Sequence, residues 1–87
     1  MARYVAFTTT GTTWWVVHYG KPGQSRADVR DAAVRAISSR WATSSVSHAD
    51  EELENLMIMS EAEAALQAKF RLAITRHLGR TDRQEPD

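Results

Sequence analysis

Arg3 to Thr8 alternates between residue types suited to a pleated strand, and Thr13 to Tyr19 is a dense β-branched and aromatic run. Thr9, Thr10, Gly11 and Thr12 between them have turn composition, so the pattern predicts an N-terminal β-hairpin. Gly20, Lys21, Pro22 and Gly23 then end strand pairing. From there the apolar period changes from two to 3.6: Val29, Ala33, Ala36, Ile37 and Arg40 fall on one face, with Ala27, Val34 and Trp41 beside it. Ser25, with Asp28 three positions on, forms a capping box, and the spacing predicts a helix from Arg26 to Arg40.

The second half is less regular. Ala42 to His48, rich in Ser and Thr, reads as a loop or a short strand over 42–47. Ser47 with Asp50 offers a cap for a helical stretch from Ala49 to Asn55. Leu53, Leu56, Met57 and Ala64 cluster around one helical direction, whereas Met59, Leu66, Phe70 and Ala73 cluster roughly 110° away, so no single helix keeps its stripe in phase across Met59. Ser60 and Glu63 make a further capping box at that break. A new helix is therefore expected from Glu61 to Leu78, closed by Gly79 after the cations Arg76 and His77. Leu56 to Met59 fits the end of a short helix, which the local composition favours, or a buried strand at 56–59. The expected architecture is α+β: the hairpin packed on two or three helices, one domain over 1–79, and a polar, flexible tail over 80–87.

In a strand, neighbouring side chains point to opposite faces, so Trp14 and Trp15 cannot enter one core. Strict alternation places Trp14, Val16 and His18 on one face and Trp15, Val17 and Tyr19 on the other, with Tyr4 and Ala6 separated from Val5 and Phe7 in the first strand. Both faces are apolar. Unless helices cover both, one face exposes a Trp, and exposed aromatic clusters mark binding surfaces. Tyr4, Trp14, Trp15, Val17 and Tyr19 are thus candidate partner-interface residues. Ala65, Ala68 and Leu72 add a second candidate surface, a small-residue stripe set apart from the main helical stripe of Leu66, Phe70, Ala73, Ile74 and His77.

Composition sharpens this reading. Of 87 residues 43% are hydrophobic, but 13 of those are Ala and one is Met1, which leaves 23 larger side chains for a core. A chain this small with a core this thin calls for a staple or a partner. The absence of cysteine removes disulfides, thiol chemistry and Cys-based zinc sites, and fits a cytoplasmic protein. No apolar run approaches the ~18 residues of a membrane span.

Net charge is zero but unevenly spread: residues 1–49 carry +4, residues 50–63 carry −6 and residues 64–87 carry +2. Asp50, Glu51, Glu52 and Glu54 form a candidate acidic surface for a basic partner. His18, His48 and His77 lack metal-ligand spacing, and neither a nucleophile elbow nor a phosphate-binding Gly loop occurs. No cofactor, metal or enzymatic role is expected.

In size, lack of cysteine and lack of a catalytic motif, the chain resembles the small accessory and inhibitor proteins carried by phages and mobile elements. The function expected is a non-enzymatic protein-interaction domain that self-associates, as a dimer, and acts by binding another protein. The alternative is single-stranded nucleic-acid binding, with bases stacked on an aromatic sheet face flanked by Arg.

Overall fold

A computed structural model describes residues 2–41 and 46–84. Strands β1 (Tyr4–Thr10) and β2 (Thr13–Tyr19) form the expected hairpin. Gly11, with φ 81°, supplies the positive φ that the two-residue turn requires. The Thr9 hydroxyl donates to the carbonyl of Thr13 at 2.7 Å and closes the hairpin end. Helix α1 (Arg26–Arg40) starts at the Ser25–Asp28 capping box, with both reciprocal bonds formed.

Helix α2 (Val46–Glu54) follows, then strand β3 (Met57–Ser60), helix α3 (Glu61–Ala65) and helix α4 (Ala68–Gln84). The sheet order is β2-β1-β3, antiparallel throughout.

Several sequence expectations are corrected. Leu56 to Met59 does not close a helix: Met57–Ser60 is a strand, which explains why the apolar phase breaks at Met59. The alternative strand at 42–47 lies mostly outside the described residues, and its last two positions are helical. Ser47 accordingly falls inside α2 instead of capping it.

The Ser60–Glu63 capping box forms as expected, but the helix it starts is broken. The amides of Leu66 and Gln67 bond three residues back, to Glu63 and Ala64, at 3.1 and 3.2 Å. This tightened turn changes the phase. Leu66, expected in the core stripe, is thrown out and is 85% exposed. Gly79 does not take the positive φ of a C-terminal cap, and α4 continues to Gln84.

Both faces of the sheet carry helices. On one, Val5, Phe7 and Met59 pack with Ala64 of α3 and Phe70 and Ala73 of α4, joined by Trp14, Val16, Tyr19 and Ile74. Phe70 is the hub, with ring centroids 4.7 Å from Phe7 and 5.1 Å from Trp14. On the other face, Ala6 packs with Val29 and Ala33 of α1, joined by Tyr4, Val17, Leu56 and Ile58. Helix α2 lies on this same side, where the buried Thr8 hydroxyl donates to the carbonyl of Glu52 at 2.5 Å. Among the described residues no bare aromatic face remains, contrary to the expectation from the two adjacent tryptophans.

Strict alternation fails along β2 as well. Ala6 pairs with His18 but Phe7 with Val16, so Val17 is an extra residue in a β-bulge. The bulge resets the phase, and Tyr19 joins Trp14 and Val16 instead of Trp15 and Val17.

Just after β2, Gly20 is buried, and its amide donates to the carbonyl of Tyr4 at 3.0 Å. A Cβ there would run into that same oxygen and lie 2.8 Å from Val29 Cγ2. Gly20→Ala is therefore expected to lower stability by about 2 kcal/mol through overpacking between strand and helix, read as a reduced urea midpoint at unchanged slope.

Candidate functional site

The ladder decides which backbone groups face outward. The Glu61 amide donates to the carbonyl of Arg3 at 2.8 Å, and the Gly20 amide to that of Tyr4 at 3.0 Å. Odd residues of β1 therefore turn their backbone groups toward β3 and even residues toward β2. Thr13 and Trp15, opposite Thr10 and Thr8, bond inward, and Trp14 and Val16 between them point away from the sheet. By the same logic Ile58 and Ser60 point outward from β3.

The two edges are treated differently. On β3, the Arg26 guanidinium donates to the carbonyl of Ile58 at 3.4 Å, and the Glu63 carboxylate accepts the Ser60 amide at 3.2 Å. Arg26 and Glu63 also pair with each other at 3.8 Å. The short β3 edge is thus clasped by charged side chains, a usual way to block unwanted strand pairing. The amide and hydroxyl of Ser60, aided by Arg26, hold the Glu63 carboxyl below its ordinary range. A wider cleft of about 440 Å³ between α1 and β3, lined by Arg26, Ala27, Arg30, Leu56 and Ile58, sits beside this clasp.

The β2 edge has no such guard. It is seven residues long and contains neither Lys, Arg, Asp, Glu nor Pro. Among the described residues, no group bonds to the outward amides and carbonyls of Trp14 and Val16. A hollow lies on each side of it. One, of about 160 Å³, is lined by Thr12, Thr13, Trp14, Lys69, Leu72 and Arg76. The other, of about 100 Å³, is lined by Val16, Val17, Ala36, Ile37, Arg40 and Glu52.

Cations lie against the sheet's outer aromatics. Lys69 Nζ is 5.3 Å from the Trp14 ring centre, and the Arg40 guanidinium is 6.0 Å from that of Trp15. Arg3 lies 4.5 Å over Tyr19, and Arg26 lies 5.2 Å over Tyr4. Each ring shields part of its apolar surface this way while holding a positive charge at the rim. The Tyr19 hydroxyl donates to the Glu61 carboxylate. Burial, reinforced by that carboxylate and opposed by Arg3, raises the Tyr19 pKa. The Trp15 indole N–H is buried without an acceptor among the described residues.

Tyr4, Trp14, Trp15, Val17 and Tyr19 are all half-buried, so none offers the broad exposed platform expected of it. Trp14 and Leu72, assigned from sequence to separate surfaces, line the same hollow. Ala65 and Ala68 are exposed near the corner between α3 and α4.

Asp50, Glu51 and Glu54 are exposed on α2, but Glu52 is not part of an acidic surface: it is 1% exposed, and its carboxylate accepts the Trp41 indole N–H at 2.7 Å. Among the described residues, no group of three His, Cys, Asp or Glu could hold a metal ion. The cations Arg40, Lys69 and Arg76 were missed as site residues. The seven-residue spacing of Lys69 and Arg76, which places them on the Leu72 side of α4, was the available signal.

The clasp makes a pH prediction. A carboxyl whose folded pKa is lowered adds stability that is fully present above its unfolded value of about 4.3 and is lost as pH falls through the lower folded value. Glu63→Gln should be less stable than the parent at neutral pH, and the two urea midpoints should converge as the solution is acidified through that window. Midpoints that stay parallel down to the acid end contradict this role.

The chain matched no family model, no curated protein and no solved structure.

Proposed function

We propose that this chain is a non-enzymatic protein-interaction domain that captures an extended segment of another protein as a fourth strand on β2. The observation that carries this reading is the contrast between the edges: β3 is short and clasped, whereas β2 presents outward backbone groups at Trp14 and Val16 between two hollows. In strand addition the main-chain bonds supply affinity, and pockets for alternate side chains supply selectivity. An added strand sends successive side chains to opposite faces, one hollow on each side of β2.

Self-association through a bare aromatic face loses its support, because helices pack on both faces. Stacking of nucleic-acid bases on such a face loses the same support. An accessory or inhibitory role follows naturally for a small domain whose chemistry is capture. No described helix is long and apolar enough to cross a membrane, and the Cys-free sequence suits a cytoplasmic location.

Panning a displayed library of linear peptides against the full chain tests the reading. Selected peptides should slow amide exchange at Trp14 and Val16. They should bind Val16→Pro about tenfold more weakly, which matches the loss of one or two outward main-chain hydrogen bonds. Pro at this edge position removes an outward N–H and also replaces the Val16 side chain that packs against the Phe7 and Phe70 cluster, so far-UV circular dichroism and the urea midpoint check that the fold is kept. Binders that leave both amides unchanged and bind the Pro variant equally well would overturn the proposal.

A further inference from the structure

We infer that the segment captured on β2 is acidic on one face and aliphatic on the other. This rests on strand addition at β2 and adds the chemistry of the partner. A strand laid along β2 alternates its side chains between the α4 side and the α1 side.

On the α4 side they meet Lys69 and Arg76, beside the Thr12 and Thr13 positions of the same hollow. On the α1 side they meet Val17 and Ala36 over the buried Ile37, with Arg40 and Glu52 completing the lining. Among the described residues no carboxylate lines the hollow of Lys69 and Arg76; Glu52 lines the other hollow, beside Arg40, and Glu61 is engaged by Tyr19 at the far end of the strand. Carboxylates spaced two apart therefore match the α4 side, and valine- or isoleucine-sized groups match the α1 side.

Two other occupants fit less well. In an antiparallel pair of β2 strands from two copies, the Lys69 and Arg76 end of one would run against the Arg3 end of the other, where the Glu61 carboxylate is already engaged by Tyr19. A nucleic-acid strand would answer the cations, but a phosphate backbone has no N–H donors for the outward carbonyls of Trp14 and Val16. A polypeptide supplies donors and acceptors at the strand spacing.

Three probes tested on the full chain at modest ionic strength separate the possibilities: a blocked peptide alternating glutamate and valine, the same peptide with lysine for glutamate, and oligo(dT). Affinity is read from tryptophan fluorescence, and the mode of binding from amide protection at Trp14 and Val16. The glutamate peptide should bind at least about tenfold more tightly than the lysine peptide and protect both amides, and the Lys69→Glu/Arg76→Glu variant should reverse the preference.

Equal affinity for the two peptides, with both amides protected, overturns the acidic selectivity and leaves strand addition standing. Peptide binding without protection, or no peptide binding, overturns strand addition and this inference with it. Oligo(dT) binding more tightly than either peptide, with the two amides unprotected, replaces both with nucleic-acid binding.

Discussion

The structure depends on the burial of β1 on both of its faces. Val5, Ala6 and Phe7 are fully buried, and Thr8 is 1% exposed. Odd positions feed the cluster under α3 and α4, and even positions feed the cluster under α1 and α2. Apolar side chains such as Val5, Ala6 and Phe7 suit such a position, and the buried Thr8 is accommodated because its hydroxyl bonds to the Glu52 carbonyl. The flanking strands also feed both clusters, β2 through Val16 and Val17 and β3 through Met59 and Ile58. The larger apolar residues that enter the core thus form two thin layers that share one central element.

Placing β1 in the middle has a cost at the margins, because a three-stranded open sheet has two edges, and each is a template for further pairing. At β3 the problem is met by shortness and by the Arg26–Glu63 clasp over the outward groups. Both members are more than half exposed, so the ion pair itself contributes little to stability; Glu63 acts on stability mainly through its capping bonds with Ser60, and the pair's value lies in occupying the edge. At β2 the same chain has tryptophan, valine and no charge within the strand. The rings are covered there by neighbours: Arg40 over Trp15 and Lys69 over Trp14. These cations shield the rings without filling the hydrogen-bonding positions of the edge. The aromatic rim is covered by these cations while the outward backbone groups of Trp14 and Val16 stay open, and the proposed strand addition rests on that combination.

Much of this was legible in the sequence. The hairpin, the Arg26–Arg40 helix and both capping boxes follow from local chemistry, because a turn Gly and a Ser three positions before an acid act within a few residues. What escaped was set by contacts far apart in the chain. Strict alternation along β2 misplaces Tyr19 because the bulge at Val17 exists only in the pairing with β1. Leu56 to Met59 is four apolar residues in a row, and such a run becomes a strand only if a partner edge is free to accept it; β1 provides that edge. Glu52 reads as one more acid in an acidic run, yet Trp41, eleven residues earlier, supplies the donor that lets it be buried. The apolar character of both hairpin faces was visible, and its correct meaning was a sheet covered on both sides. The site was half legible: Trp14 and Leu72 were singled out for separate surfaces, and only the packing of α4 along β2 brings them to one hollow.

The central claim is that β2 is an open edge whose outward groups sit at Trp14 and Val16. Residue-resolved amide hydrogen exchange of the free protein tests it most directly, since exchange reads which N–H groups are bonded in the native state. The amide of Trp15, which bonds inward to β1, should exchange at the slow rate of the sheet core, and those of Trp14 and Val16 should exchange much faster, giving an alternating pattern along one strand. Slow exchange at all three would show that the β2 edge is already occupied in the free protein and would contradict the account.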